Sequence, residues 1–570
     1  MAEEEKEVKV GRTGGDLLVQ ALINENVRFI FGIPGGQLLP IYDAVYQFGR
    51  EHGLDTIMMR HEQAAAHAAD AWARVTGTLG VCMGTVGPGA THMVPGIAAA
   101  YADSIPVLVI TPQVISRQDA IGALQGDVDQ LALFRPIVKF QRQIGKTERL
   151  TEYVQKAFRE AYLGRPRPVH LDIPADVLGK TLQQEPLCPE PCHYRPLLNP
   201  AGNPALIDQA TNALLKAERP LIIAGGGIGH AKAGQALLDL TEHLKVPIIG
   251  TVLGSSAMPK ASSTYIGIGV FGPQTLRAIR ESDLILALGT RFAVSLGYGK
   301  PPLWPEEKNL IQVDIDPVEI GKNRPISLGI LGDCKSVLEQ IITRVKKNQP
   351  ITKEETDWLK SLKKDREKYW RGKEQFMNSD EIPIRQERLV HEVDEWLSQD
   401  AILIVDGGDI SLYSLEQLQM SRPRKLLQSV GMGHLGTSIP YAIGAKLAAP
   451  DKQVLTVSGD GSIMMNIQEL ETAKRLNLAF ICVISNNQAW GQIKSGQKYF
   501  YKRRFIDTDL SDSNFAEIAK AFGCYGERVT DPREIKGALD RARDSNKAAL
   551  IDVVTKFTTH DISKLGLSRM

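Results

Sequence analysis

Cysteine is scarce: six in 570 residues, at 82, 188, 192, 334, 482 and 524. No two stand as CxxC, so neither a disulfide scaffold nor a paired zinc site is encoded, and a reducing, cytoplasmic setting is expected. Charge of one sign is lacking as well. Lys and Arg number 67 against 66 Asp and Glu, a net +1, which leaves no field to gather nucleic acid or an anionic membrane surface. No run reaches ~18 uninterrupted apolar residues, so no membrane span is expected, and the charged opening MAEEEKEVKVGRTGG does not read as a signal peptide. The GxSxG, GxxxxGK[ST] and HExxH signatures are missing, which sets aside serine hydrolases, P-loop enzymes and zinc proteases. What is present is an ordinary globular mixture, 43% hydrophobic and 23% charged, long enough for three or four domains at ~150 residues each.

Three blocks alternate short apolar runs with amphipathic stretches, the pattern of β-α-β units around parallel sheets, so the fold class is α/β with three doubly wound domains. The first, 1–185, contains VRFIFGIPGG, DTIMMRH, LGVCMGTVGPGATH and IPVLVITPQ, and closes near PVHLDIPADVL. Prolines at 186, 189, 191, 196, 200 and 204 predict an extended connector. The second, 204–345, carries PLIIAGGGIGH, DLILALGTRF and NLIQVDIDP. A Lys/Glu/Asp-rich stretch over 346–384 predicts a solvated helical linker. The third, 385–570, carries AILIVDGGD, QVLTVSGDG, LAFICVISNN and AALIDVV. The first and third blocks share no exact sequence repeat, so any kinship between them is structural.

The segment QVLTVSGDGSIMMNIQELETAKRLNLAFICVISNNQAWG (453–491) holds the most chemistry. One strand ends in Gly459-Asp460-Gly461, an amphipathic helix is expected next, and a second strand delivers Asn486-Asn487. Both polar clusters then leave the same edge of a parallel sheet, where α/β folds bind ligands. Glycines at 459 and 461 permit close backbone approach to a phosphate, and a following helix would aim free N–H groups at it. Asp460 and Asn487 offer oxygens suited to Mg2+, a hard ion often shared with phosphates. Either half alone is an ordinary turn; their order in the chain predicts a metal-bridged diphosphate.

GDG followed by NN resembles the thiamin diphosphate fingerprint, and the similarity extends over most of the chain. The chain is identified as a member of the thiamin-dependent decarboxylase and carboligase family that includes acetolactate synthase. That resemblance implies a pyrimidine-binding, a central and a diphosphate-binding domain in order. It implies Mg2+ on the side chains of Asp460 and Asn487 and the carbonyl of Ala489, and a cofactor cradle that includes Gly408, Asp409, Gly459, Gly461, Ser462, Trp490 and Gly491. RHEQAAAHAADAWARVTG resembles the family's HExxAxxxAxGYAR segment, which makes Glu62 the carboxylate bonded to the cofactor's pyrimidine nitrogen. A proton shared there favours the imino tautomer that activates the thiazolium carbon. FGIPGGQLLPIYDAV and GTVGPGATHMV resemble family loops, implying that Pro34, Gly35, Pro88 and His92 touch the cofactor, with His92 where Asn is usual, and that Gly36 and Gln37 face the reacting carbon. TPQV contains Gln113; Gln125 matches a family glutamine; GMGHLGTSIPYAIG matches the loop under the cofactor, with Gly433, and with Leu435 where synthases carry Met.

In the family the glutamate and the diphosphate site come from different subunits, implying a homodimer or homotetramer with active sites between subunits; a regulatory subunit is a further implied partner. In the central block GGGIGHAKAG does not fit GxGxxG, whereas Arg291 and Asp314 lie in segments resembling those that hold FAD or ADP in relatives. Four departures bear on substrate: Gly496 stands where synthases have Trp, Gln492 where they have Met, and Leu124 and Gly126 replace a Phe and a Glu. A wider cavity follows. The leading expectation is acetolactate synthase-like decarboxylation and carboligation of small keto acids; the alternatives are a 2-hydroxyacyl-CoA lyase or benzaldehyde lyase-type enzyme acting on an aldehyde or acyl-CoA, and an inactive scaffold paralogue.

Overall fold

The computed structural model describes residues 11–118, 121–184, 186–195, 199–257, 262–351, 354–421 and 425–565. The expectations placed on residues 1–10, 185, Pro196 and 566–570 lie outside these. The chain divides into two compact units, the first comprising residues 1–198, 431–434 and 443–448, the second comprising the remainder.

The first unit contains β1 (Arg12–Thr13), β2 (Phe29–Gly32), β3 (Asp55–Met58), β4 (Gly80–Met83), β5 (Val107–Gln113), β6 (Phe140–Gln143), β7 (Val169–Pro174) and β8 (Thr181–Leu182). Six of them form a parallel sheet in the order β3-β2-β4-β5-β7-β6, while β1 and β8 pair antiparallel. Strands β4, β5 and β7 are mostly apolar and buried along nearly their whole length, as expected where helices cover both faces of a parallel sheet. The order reverses between β2 and β4, so the loops leaving their carboxyl ends diverge and open a crevice.

The second unit holds two sheets. Strands β9 (Pro220–Ala224), β10 (Ile248–Gly250), β11 (Tyr265–Ile268), β12 (Leu284–Leu288), β13 (Leu310–Asp314) and β14 (Leu328–Leu331) run in the parallel order β11-β10-β9-β12-β13-β14. Strands β15 (Ile402–Val405), β16 (Lys425–Leu427), β17 (Val454–Gly459), β18 (Ile481–Asn486), β19 (Tyr525–Val529) and β20 (Ala549–Val554) run β16-β15-β17-β18-β20-β19. Counted within each sheet, the first and third orders are identical, which is the structural kinship that the sequence lacked. The third sheet reverses between β15 and β17.

Two connectors differ from expectation. The proline-rich stretch is not simply extended: it contains a helical turn, Pro191–Tyr194, and Tyr194 and Arg195 both bond Glu25, because a buried carboxylate needs donors. The 346–384 stretch does form the helix Asp357–Met377, but Trp358, Leu359 and Leu362 bury one side of it against the second sheet.

In the first unit, helices Glu62–Thr76 and Pro88–Asp103 pack side by side with almost no side chain between them. A Cβ on Gly96 would lie 2.6 Å from that of Ala66. Arg74 locks the far ends: its guanidinium bonds Asp70 (Nε to Oδ1, 2.7 Å) and Asp103 (Nη2 to Oδ2, 3.0 Å), all three side chains being 5% exposed or less. Removing the cation takes away the positive charge that two buried carboxylates share, so Arg74→Met should cost about 3–5 kcal/mol and lower the thermal midpoint by roughly 10 °C. A melt within a degree or two of wild type, followed by circular dichroism, would show the triad to be dispensable.

Candidate functional site

In the second unit the GDG residues lie where β17 ends. Asp460 opens a single helical turn, Asp460–Ile463, and the amphipathic helix expected next is interrupted, resuming with Ile467–Glu469 and the helix Leu470–Arg475. The turn stops because Asn466 leaves helical geometry and donates from Nδ2 to the carbonyl of Gly436 (2.8 Å). Any phosphate contact here therefore rests on individual N–H groups rather than on a helix dipole.

Asp460 is buried; Oδ1 accepts the Gly461 N–H (2.9 Å), whereas Oδ2 is buried with no hydrogen-bond partner. Burial pushes its carboxyl up to about 6, helped by the nearby Asp409 charge and opposed by the N–H groups of Gly461, Gln488 and Ala489. Asn487, just past β18, donates from Nδ2 to Asp409 Oδ2 (2.8 Å), and its Oδ1 is likewise buried without a partner. Gln386 donates to the same Asp409 oxygen (2.9 Å). Two bare oxygens of hard-ligand type, at the ends of neighbouring strands β17 and β18, are what a Mg2+ ion would satisfy. The residues thus fit the ion the sequence implied.

Gln488 takes a left-handed backbone (φ 54°), and the 488–490 turn is held by pairing with 508–510: the Trp490 N–H donates to the Thr508 carbonyl (2.9 Å), and the Leu510 N–H donates to that of Gln488 (2.8 Å). Ala489 is buried in that turn. The Trp490 ring lies on Gly461, where a Cβ would come within 2.8 Å of it, and a Cβ on Gly491 would strike the Asp409 carboxylate at 2.1 Å. Gly408 is crowded by Gln492 in the same way (3.0 Å). Ser462 is buried beside Asp460. Asp406, missed by the sequence reading although it stands in the VDGGD run, accepts from the backbone N–H groups of Gly436 (3.2 Å) and Ser438 (3.1 Å) and so fixes the segment that begins at the half-buried Leu435.

In the first unit the expected residues gather at the carboxyl ends of β2 to β5. Thr85 donates to Gln37 Oε1 (3.1 Å) and sits against Gly35. Gly36 and Pro34 are exposed, and nothing stands within 4 Å of a Cβ on Gly36. Gly87 has φ 73° and ψ −99° and precedes the exposed Pro88. Its N–H donates to Gln130 Oε1 (3.1 Å), and the Gln125 backbone packs on it, leaving the Gln125 side chain exposed. Gln130 also donates to the buried Asp172 (2.6 Å) and the Pro112 carbonyl (2.9 Å). Thr85 and Gln130 had no local signal: each acts through a partner distant in sequence. Gln113 folds back on the next N–H. Glu62 is the first residue of its helix and 7% exposed, and His92 approaches it to 3.0 Å. Gly433 is exposed with φ 59°.

In the central sheet the glycines serve packing. A Cβ on Gly225 would lie 2.1 Å from the Gly289 carbonyl, and one on Gly227 2.7 Å from the Gly289 Cα. Asp314 Oδ1 accepts the Asp316 N–H (3.0 Å), and Arg291 is half-buried.

Loops flanking the reversal points of two like-ordered sheets, one carrying a buried carboxylate and the other an oxygen pair suited to a metal, define an α/β cofactor enzyme. Residues 12–133, 207–341 and 406–553 match the thiamine pyrophosphate enzyme N-terminal binding, central and C-terminal binding domain models respectively. The chain belongs to the thiamine pyrophosphate enzyme family. It is 36% identical over 558 residues to a probable acetolactate synthase large subunit of Methanocaldococcus jannaschii, covering 95% of this chain and 91% of that protein. It is 34% identical over 560 residues to the acetolactate synthase large subunit of Haemophilus influenzae (96% and 95%) and 32% identical over 560 residues to the isozyme 3 large subunit of Escherichia coli (96% of each). Among the described residues no helix is long and apolar enough to cross a membrane.

Because Gly491 abuts Asp409, Gly491→Ala must push that carboxylate off Asn487 and Gln386. A loss of about 1–3 kcal/mol in a denaturant titration is expected; an unchanged midpoint would mean that the contact relaxes without cost.

Proposed function

We propose that this protein carries out acetolactate synthase-like carboligation: a 2-keto acid loses CO2 and the remaining acyl fragment is joined to a second small keto acid, with thiamin diphosphate and Mg2+. The observation that carries the reading is the pair of buried, unpartnered oxygens, Asp460 Oδ2 and Asn487 Oδ1; the names of the relatives supply the substrate class. When bound, the cofactor supplies an electron sink for the carbanion left by decarboxylation. The chain's own residues do the rest. Asp460, Asn487 and the Ala489 carbonyl hold the metal, while Gly408, Asp409, Gly459, Gly461, Ser462, Trp490 and Gly491 shape the diphosphate cradle. Glu62 holds a proton against the cofactor's ring nitrogen; Pro34, Gly35, Pro88, His92, Gly433 and Leu435 line the cofactor; Gly36, Gln37 and Gln125 face the substrates. Its setting is the cytoplasm, in keeping with six free cysteines.

A second reading, cleavage of a 2-hydroxyacyl-CoA or an aromatic hydroxyketone, draws on Gly496, around which a Cβ would meet nothing within 4 Å, and on Leu124, 85% exposed. Incubation with thiamin diphosphate, Mg2+ and pyruvate separates the two. One CO2 should appear per acetolactate, and Asp460→Ala should lower the rate about 100-fold or more. No product from pyruvate, with turnover of a 2-hydroxyacyl-CoA, would establish the second reading instead.

The relatives' designation as large subunits supports a homo-oligomer joined by a smaller regulatory chain. If one copy supplies Glu62 and another Asp460, subunit exchange between inactive Glu62→Gln and Asp460→Ala variants should restore about a quarter of wild-type activity, the yield of random pairing in dimers. A mixture as inactive as its parents would confine each site to one copy.

A further inference from the structure

The Glu62 carboxylate is not bare. His92, on the neighbouring helix, places Nδ1 3.0 Å from Glu62 Oε2, and its ring stacks on that of His61 with centroids 4.6 Å apart and planes 26° from parallel. Among the described residues His92 is the only hydrogen-bond partner of this carboxylate. The pairing is set by the backbone. Glu62 lies one helical turn before Ala66 and His92 one turn before Gly96, and a Cβ at Gly96 would sit within 2.6 Å of Ala66 and 3.1 Å of the Gln63 carbonyl. Two helices pressed together there bring the preceding turns into register, so that the imidazole meets the carboxylate.

His61, Glu62 and His92 place three ligand-type atoms within 4.8 Å of one another, yet a metal site does not fit. Imidazole lone pairs lie in the ring plane, and two nearly parallel stacked rings cannot both aim at one ion. His61 Nδ1 is also committed as acceptor of the Gln63 N–H (3.1 Å), which puts its proton on Nε2. Burial, and then the neighbouring His92, lower the proton affinity of His61, opposed by the Glu62 charge. Its ring braces the face of His92, whose Nδ1–H donates to the carboxylate.

We infer that His92 is a positioning residue for Glu62: it retains Oε2 and leaves Oε1 as the single oxygen offered to the cofactor's ring nitrogen. A carboxylate at a helix start is otherwise free to rotate between rotamers, and a charge-assisted hydrogen bond from a stacked ring fixes it. The assignment of a role to His92 through Glu62 rests on the reading of Glu62 given above and goes beyond it. The side chains differ in exposure, 47% for His92 against 9% for Glu62, so the imidazole is the more solvent-exposed member of the pair.

The test uses the full-length protein with thiamin diphosphate and Mg2+, without substrate. Exchange of the cofactor's C2 proton for deuterium is followed by quenched-flow NMR, and cofactor affinity by calorimetry on the apoprotein. His92→Leu should slow exchange about tenfold or more with affinity changed less than about threefold, whereas His92→Asn, which can still donate to Oε2, should recover most of the rate. Exchange in His92→Leu within about twofold of wild type, or affinity falling in step with rate, would overturn the proposal. Glu62→Gln run alongside separates the two ideas: fast exchange there defeats the reading of Glu62 itself, while slow exchange there with normal His92→Leu defeats only the role of His92. Should His92→Leu not fold, the His92 Nδ1 resonance in 15N-histidine-labelled apoprotein decides. It should shift between wild type and Glu62→Gln, and an unmoved signal would overturn the proposal.

Discussion

A carboxamide has two unlike ends, and the bond from Asn487 Nδ2 to Asp409 decides which way each faces. With the donor end held, the acceptor end must point elsewhere, and it is left buried without a partner, as is an oxygen of Asp460 at the end of the neighbouring strand. Unsatisfied buried oxygens are costly unless a ligand completes them. Most of what surrounds this pair exists to keep it in place: Gln386 on the same Asp409 oxygen, Gly491 small enough to let that carboxylate in, and the 488–490 turn fastened by its pairing with 508–510.

The same topological rule builds both candidate sites. In the first and third sheets the strand order reverses between the first strand and the third of each set, and the chain leaves those two strands through glycine-rich loops: 35–37 and 84–89 in one, 407–408 and 459–461 in the other. Two sequences without a detectable repeat have reached one arrangement because a crevice at a reversal point is where backbone N–H groups and strand-end side chains are both accessible. What differs is the chemistry loaded onto it. One crevice carries oxygens without partners; the other carries a carboxylate already engaged by an imidazole.

Small residues recur wherever one element must lie directly on another. Gly96 against Ala66, Gly80 against the Ala69 carbonyl and Gly444 against that of Ala68 allow backbones to touch around the helix Glu62–Thr76. This close packing leaves little room for compensating shifts, which is why a register set at Gly96 carries through to the side chains one turn away.

The order of apolar runs and glycine turns was enough to read three parallel-sheet blocks, and GDG, NN and the HEQ segment named Asp460, Asn487 and Glu62, because local backbone demands and ligand chemistry are written in adjacent residues. Local pattern misjudged the stretch after Asp460, where Asn466 breaks the helix to reach the Gly436 carbonyl, and the proline-rich connector, where Glu25 draws Tyr194 and Arg195 into a turn. Thr85, Gln130, Asp406 and Gln386 were invisible for the same reason. Each matters through a hydrogen bond to a residue tens of positions away, and only the folded chain brings such partners within 3 Å or so. The sequence determined which groups are available; the tertiary structure alone decided which oxygens are left bare and which, like that of Glu62 beside His92, are already held.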